Sequence, residues 1–187
     1  MNISNILIVD DEKSVLEALK RSFLDDPYVV YSAGSAVEGL DILSENKIKV
    51  VISDEMMPGM SGADFLAKVS NVYPNVIRVM LTGQASLAAA IKAINKGEIY
   101  RFFTKPWDDF ELRFAVKSAV EKFDLEEENR SLLDIVRKQA LNLKLIEKEF
   151  PGITELEYDE KGRIIVQDVS DEEIERLVAQ FAREYGS

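Results

Sequence analysis

The chain has 187 residues, of which 34 are acidic and 23 basic, and a formal net charge of −11. It contains no cysteine and no histidine, which excludes disulfides, thiolate metal sites and a phosphohistidine within the chain. No apolar run approaches the roughly 20 residues that span a bilayer, and the N-terminus lacks a signal peptide's basic flank, so we expect a cytoplasmic protein.

Short apolar runs alternate with amphipathic stretches over the first two thirds of the chain. Strands are predicted at residues 6–9, 28–32, 47–54, 76–81 and 99–103. Helices are predicted at 14–23, from an N-cap at Ser35 to about 45, at 61–72, at 86–95 and from Asp108 onwards. Five alternations of strand and helix predict an α/β fold, a doubly wound five-stranded parallel sheet in the flavodoxin-like order 2-1-3-4-5.

Polar residues stand at the ends of four of these strands. Asp10 and Asp11 follow the first strand, Asp54 ends the third, Thr82 follows the fourth and Lys105 follows the fifth. Because the carboxyl ends of parallel strands meet at one edge of the sheet, three carboxylates, a hydroxyl and an ammonium group can converge on one pocket.

This set of side chains has a defined chemistry. Clustered carboxylates raise one another's pKa unless a cation neutralises them, and Mg²⁺ prefers oxygen ligands. A carboxylate beside such an ion can attack a phosphoryl group and form an aspartyl phosphate. Lys105 would then pair with the phosphoryl oxygens, and the Thr82 hydroxyl could donate to one of them.

The same residues carry a resemblance to a known family. The matching motifs are Asp10-Asp11, Asp54-Glu55-Met56-Met57-Pro58 with Gly62, Thr82-Gly83 and Lys105-Pro106. Residues 2–122 thereby resemble a CheY-like receiver domain of the two-component response regulators. We expect a receiver domain at 1–122, a helical extension at 123–150 and a small acidic tail at 151–187.

The resemblance implies a role for each site residue. It makes Asp54 the phosphoacceptor, Asp11 a direct ligand of Mg²⁺ or another divalent cation, and Asp10 a ligand that often acts through water. The backbone carbonyl of Met56 is implied as a further metal ligand, and Lys105 as the partner of the phosphoryl oxygens. The Lys105-Pro106 peptide is expected to be cis.

The resemblance also implies a switch. Thr82 would swing toward the phosphoryl group together with Phe102, a position where receivers often have tyrosine. Phenylalanine lacks the hydroxyl that a partner protein could read. Met56 and Gln84 occupy positions that resemble those tuning the lifetime of the phosphate.

The implied function is that of a response regulator in a phosphorelay, not an enzyme beyond self-catalysed phosphoryl transfer and autodephosphorylation. Its partners would be a sensor histidine kinase or phosphotransfer protein and a downstream protein. Three alternatives stay open: a Mg²⁺-dependent phosphatase with an aspartyl nucleophile, a nucleotide-binding α/β domain, and a scaffold that is never phosphorylated. Such phosphatases carry a second aspartate where Met56 stands here, and no Gly-rich loop follows the first strand.

Each site residue also has a structural interpretation. Asp10 and Asp11 could be acidic residues at a helix N-terminus, Lys105 a surface lysine and Thr82 a buried structural hydroxyl.

No glycine or proline interrupts the chain between Asp108 and Pro151, which allows one helix of about 40 residues. Steps of four and three connect a largely apolar stripe along it: Leu125, Asn129, Leu132, Val136, Gln139, Leu143, Ile146 and Phe150. This spacing favours a coiled-coil seam, and we expect a homodimer through residues 125–150. The alternative is a single helix that packs back on the receiver.

The last 37 residues have a hairpin pattern at 154–166, followed by a helix pattern that opens at Ser170. They contain 10 acidic and 4 basic residues, a net charge of −6, which disfavours direct binding to nucleic acid. An isolated hairpin is marginally stable, so the tail must pack on another element or on a partner. These residues predict neither the output pathway nor whether the chain is a fragment of a longer protein.

Overall fold

The computed structural model describes residues 3–83, 99–149 and 175–176. The strands are β1 (Ser4–Val9), β2 (Tyr28–Ala33), β3 (Val50–Asp54), β4 (Ile77–Thr82) and β5 (Arg101–Thr104). The helices are α1 (Lys13–Ser22), α2 (Ala36–Glu45), α3 (Gly62–Val72) and the long helix (Asp109–Glu149). The helix predicted at 86–95 and the predictions for the tail lie outside the described residues, except that Glu175 and Arg176 are helical.

All five strands are parallel and stand in the order β2-β1-β3-β4-β5, which confirms the predicted fold. The central strand β3 is buried along its whole length, as its continuous apolar run predicts. It begins at Val50, later than the predicted start at Lys47. The carbonyl of Lys47 accepts a hydrogen bond from the side-chain amide of Asn5, and the backbone bond to Asn5 comes from the N–H of Lys49, directly before β3.

Apolar side chains alternate between the two faces of the sheet and build a core on each. One face packs against α2 and α3 and includes Leu7, Val9, Leu43, Val51, Phe65, Leu66 and Met80. The other packs against α1 and the first turns of the long helix and includes Ile6, Ile8, Leu16, Leu19, Ile52, Leu81, Leu112 and Val116. Both faces are therefore covered, and the carboxyl edge of the sheet is left to its loops.

Two helices begin at serines whose hydroxyls cap the backbone. Ser35 accepts a hydrogen bond from the backbone N–H of Glu38 at 3.2 Å, which confirms the predicted N-cap. Ser61 accepts from the N–H of Asp64 at 3.1 Å and starts α3 immediately after the loop that follows β3.

The long helix has 41 residues, close to the length that its uninterrupted sequence predicts. Up to Phe123 it buries one side against the sheet. Further along, four seam residues are more than half exposed: Leu125, Leu132, Val136 and Leu143. The chain divides into two compact units, Met1–Leu132 and Leu133–Ser187. Among the described helices, none combines the length and hydrophobicity needed to cross a bilayer.

Candidate functional site

The carboxyl ends of the inner strands lie side by side because the strands are parallel and in register. Asp54 stands opposite Leu81, and Thr82 stands opposite Thr104. The backbone N–H of Asp10 bonds to the carbonyl of Ala33 at 3.2 Å, which extends the pairing of β1 and β2 by one residue. The sheet therefore brings the residues that follow its strands to a common edge.

Lys105 joins two of the predicted carboxylates. Its Nζ lies 2.8 Å from Oδ2 of Asp10 and 2.5 Å from Oδ1 of Asp54. The two aspartate side chains are only 1% and 7% exposed, and the lysine side chain is 24% exposed. The Lys105-Pro106 peptide is cis, as the resemblance implied. The ammonium group thus reaches the buried end of the site from its solvent side.

Burial and charge shift the pKa values of this cluster. Burial raises the pKa of Asp10, and the charge of Asp54 adds to the increase, while the hydrogen bond from Lys105 opposes it. Burial lowers the pKa of Lys105, but hydrogen bonds to Asp10 and Asp54 outweigh that effect and the net pKa is raised. The lysine therefore stays charged at neutral pH and supplies the positive charge that two adjoining carboxylates require.

The four carboxylate oxygens retain capacity for a further ligand. Asp10 Oδ1 accepts the N–H of Glu12 and Asp54 Oδ2 accepts the N–H of Met56, both at 2.8 Å. With the contacts to Lys105, each oxygen has one partner among the described residues, although a carboxylate oxygen can accept two. Asp11 follows in the same loop with an exposed side chain. This is the donor chemistry that a hard divalent cation prefers.

No three acidic side chains form a ready metal site within the described part of the chain. Asp10 and Asp54 are instead bridged by the ammonium of Lys105. Asp10 and Asp54 therefore offer oxygens of the type that a divalent cation prefers, but the described residues do not form a complete set of ligands.

Gly62 holds the loop after β3 against the site. A Cβ atom at this position would lie 1.9 Å from the backbone oxygen of Asp54, a distance that no side chain tolerates. The N–H of Gly62 donates to the carbonyl of Glu55 at 2.8 Å. The motif glycine is therefore required for a close approach of two backbone segments.

Thr82 and Phe102 lie on neighbouring strands beside the carboxylates. Thr82 is fully buried, and its carbonyl accepts the N–H of Lys105 at 2.8 Å. Phe102 is partly buried and packs on the α2 and α3 side of the core. The side chain of Met56 is 72% exposed, so only its backbone takes part in the site. Gln84 lies outside the described residues.

Sequence analysis assigned no role to Glu55, although the structure places it in the site. It is only 7% exposed, and its Oε2 lies 3.3 Å from the hydroxyl of Thr82. The available signal was an acidic residue directly after a strand that is apolar enough to be buried throughout.

Residues 6–117 match the response regulator receiver domain family. The chain belongs to this family. The sheet order and the long helix of this receiver chain are those that the sequence predicts. The comparison assigns no role to individual site residues, so those roles remain predictions.

Known proteins similar to this receiver chain have different names and outputs. The hydrogenase transcriptional regulatory protein HoxA of Bradyrhizobium diazoefficiens is 30% identical over 82% of this chain, but only 32% of its own length is covered. A crystal structure titled adenylate cyclase from Rhodopirellula baltica has a TM-score of 0.68 and 32% identity, covering 72% of this chain and 98% of that one.

The receiver domain of an HD domain-containing protein from Pseudomonas fluorescens Pf-5 has a TM-score of 0.65 and 38% identity, covering 68% of this chain and 94% of that one. The chain spans about a quarter to a third of the length of the curated relatives that it matches. The similarity therefore establishes the receiver domain and leaves the output open.

Proposed function

We propose that this receiver is a phosphorylation-controlled switch in which Asp54 accepts a phosphoryl group from a phosphohistidine of a partner protein. The donor is a sensor histidine kinase or a phosphotransfer protein, since the chain has no histidine of its own. The observation that carries the proposal is the contact of the Lys105 ammonium with both Asp10 and Asp54 in a buried site.

The chemistry follows from the position of these groups. An Asp54 oxygen attacks phosphorus in line with the P–N bond of phosphohistidine, and the O–P bond forms as the P–N bond breaks. The bonding electrons leave with the imidazole, which takes a proton from water. Lys105 pairs with the phosphoryl oxygens, which lie next to the carboxylate that it already contacts. The adjoining N–H of Met56 fixes the orientation of that carboxylate.

Receiver domains generally use Mg²⁺ for phosphorylation. Asp10, Asp11, Asp54 and the backbone carbonyl of Met56 are the residues that would hold it here. When bound, Mg²⁺ supplies positive charge that offsets the carboxylates and the phosphoryl oxygens. The free acceptor capacity of the oxygens of Asp10 and Asp54 supports this assignment.

The switch is assigned to Thr82 and Phe102. Phosphorylation adds about −1.5 to −2 charges at the end of β3. Thr82 directly follows Leu81, which pairs with Asp54, and its hydroxyl is the donor that we assign to the phosphoryl oxygens. Strands β4 and β5 are paired, with Met80 opposite Phe102. We therefore propose that a side-chain movement on β4 is accompanied by a movement of Phe102 on β5. Rearrangement of this region is the proposed signal.

The proposed output passes through the long helix to a downstream protein. Its first turns are part of the receiver core, and four of its seam residues beyond Phe123 are more than half exposed: Leu125, Leu132, Val136 and Leu143. We assign residues 125–150 to a homodimeric coiled coil whose geometry, or the exposure of the tail, changes on phosphorylation. Solution mass measured with and without beryllofluoride tests this; a monomer in both states contradicts it.

The phosphoacceptor is tested by replacement. Asp54→Asn should abolish uptake of acid-labile phosphate from acetyl phosphate in the presence of Mg²⁺, because the amide cannot act as the nucleophile. Asp41→Asn, at an exposed acidic residue of α2, is the matched control and should be labelled as the unmodified chain is. Undiminished labelling of Asp54→Asn would refute the assignment.

The rival phosphatase activity has its own test. The position two residues after Asp54, where such a phosphatase needs an acid/base aspartate, holds the exposed thioether of Met56. We therefore expect no turnover of a generic phosphomonoester such as p-nitrophenyl phosphate. Sustained turnover that depends on Asp54 would favour the phosphatase. Absence of beryllofluoride binding in the presence of Mg²⁺ would favour the unphosphorylated scaffold.

A further inference from the structure

Glu55 is a buried acidic residue whose backbone is fixed on both sides. Its N–H donates to the carbonyl of Leu81 at 2.9 Å, and its carbonyl accepts from Gly62 at 2.8 Å. Its side chain is directed into the protein, and the residue is 7% exposed. Glutamate is almost never buried unless it is paired, because burying a polar group without a hydrogen bond is unfavourable. The partner of this carboxylate is therefore informative.

Among the residues that the structure describes, that partner is the hydroxyl of Thr82. Oγ1 of Thr82 lies 3.3 Å from Oε2 of Glu55 and 3.1 Å from the carbonyl oxygen of Gly83. A threonine hydroxyl has a single hydrogen to donate, so these acceptors compete for it. Either hydrogen bond keeps the hydroxyl bonded to a group of the protein itself.

We propose that Glu55 is a positioning residue that restrains the Thr82 hydroxyl in the unphosphorylated protein and so sets the threshold of the switch. This inference rests on the proposed function, in which the same hydroxyl donates to the phosphoryl group. The single hydrogen of Thr82 cannot serve Glu55 and the phosphoryl group at full strength together. Switching therefore requires the hydroxyl to leave Glu55.

The backbone around Thr82 confines this change to the side chain. The carbonyl of Thr82 is bonded to the N–H of Lys105 at 2.8 Å, and Thr82 pairs with Thr104 across the two strands. Release of the hydroxyl is then a rotation about χ1 between staggered positions. A hydrogen bond that exists only before the rotation stabilises the starting rotamer of Thr82. It therefore reduces the population of the rotamer that can donate to a phosphoryl group, and it lowers the apparent affinity for a ligand that binds that rotamer.

Beryllofluoride with Mg²⁺ is the probe for the test, since it occupies the place of a phosphoryl group on an aspartate. Binding is followed by the fluorescence of Trp107, the single tryptophan of the chain, two residues after Lys105. Glu55→Ala should bind beryllofluoride roughly three- to tenfold more tightly than the unmodified chain, because one competing hydrogen bond is lost. Glu55→Gln keeps a neutral acceptor of the same length and should give a smaller gain.

A double-mutant cycle separates positioning of Thr82 from a general structural effect. In a Thr82→Ala background, Glu55→Ala should leave the affinity for beryllofluoride unchanged, because the hydroxyl that it restrains is absent. Glu45→Ala, at an exposed glutamate of α2, is the control for loss of one acidic charge and should not change the affinity. Glu55→Gln, which preserves shape, provides the same comparison if the alanine variant folds poorly.

The outcomes are distinguishable. Tighter binding by both Glu55 variants that vanishes in the Thr82→Ala background supports the inference. Unchanged affinity in the Glu55 variants, or an equal gain with and without the Thr82 hydroxyl, overturns it while the proposed function stands. Failure of the unmodified chain to bind beryllofluoride at all overturns the proposed function and this inference with it.

Discussion

Lys49 and Asp124 form an ion pair in which Nζ lies 2.6 Å from Oδ1, with side chains 13% and 50% exposed. Lys49 also donates to the hydroxyl of Ser4 at 3.0 Å and lies 6.0 Å from the ring centroid of Phe123. It directly precedes β3, at the end of that strand opposite Asp54. The pair therefore ties the long helix to the sheet just where the helix stops burying one side.

We expect this pair to contribute measurably to stability. In a double-mutant cycle with Lys49→Met and Asp124→Asn, the coupling free energy should be about 0.5–2 kcal/mol, since Lys49 is largely buried and has additional partners. The comparison is the neighbouring pair Lys47–Glu127, whose side chains are 66% and 43% exposed and whose coupling should stay below about 0.5 kcal/mol. Urea unfolding of the four variants of each cycle measures both; equal coupling in the two pairs contradicts the expectation.

Replacement of Gly62 should be strongly destabilising. Gly62→Ala places a methyl group 1.9 Å from the backbone oxygen of Asp54, so the loop after β3 must move. We expect a loss of about 1–3 kcal/mol in the free energy of unfolding. Gly34→Ala is the control, because the nearest atom to its added Cβ is 3.6 Å away at a flexible glutamate side chain. Similar unfolding curves for the two variants would show that the loop adapts without penalty.

Removal of the ammonium group of Lys105 should destabilise the metal-free protein. Lys105→Ala leaves Asp10 and Asp54 buried without the cation that bridges them. A loss of about 1–3 kcal/mol in unfolding free energy is expected in buffer containing a chelator. Lys122→Ala removes an exposed lysine paired with Glu126 and should have little effect. An unchanged midpoint for Lys105→Ala would mean that the two carboxylates do not need this charge.

Tyr28 should make the stability of the chain sensitive to alkaline pH. Burial raises its pKa above the ordinary value of 10.0, and the charges of Asp26 and Glu121 raise it further. A raised pKa means that the phenolate is disfavoured in the folded state. The associated stability is therefore complete below the ordinary pKa and is lost as the pH rises through the folded-state pKa.

Tyr28→Phe isolates this contribution because it keeps the ring that meets Phe23 edge-on at 6.1 Å. Between about pH 8 and pH 11, the unfolding free energy of the unmodified chain should fall more steeply than that of the variant. Urea unfolding at a series of pH values provides the measurement. Parallel pH profiles would show that Tyr28 ionises as easily in the folded state as in the unfolded chain.

The amino-acid sequence by itself determined the strands, most helix boundaries and the strand ends that carry Asp10, Asp54 and Lys105. These follow from local patterns of apolar and polar residues, and the parallel sheet then requires the strand ends to share an edge. Lys105 and Asp10 are 95 residues apart in the chain. Their proximity was predictable because each follows the carboxyl end of a parallel strand of the same sheet. The order of the strands was likewise predictable from the alternation of elements together with the family resemblance.

Tertiary structure alone decided which side chains meet once those strands are packed. The contact of Glu55 with Thr82 depends on how two neighbouring strands end, and the Lys49–Asp124 pair depends on where the long helix crosses the sheet. Neither has a periodic or spacing signature, because a contact between distant residues is fixed by side-chain direction and burial. For that reason the contact of Glu55 with Thr82 could not be predicted from the sequence, although the position of Glu55 directly after a buried strand indicated that it lies near the site.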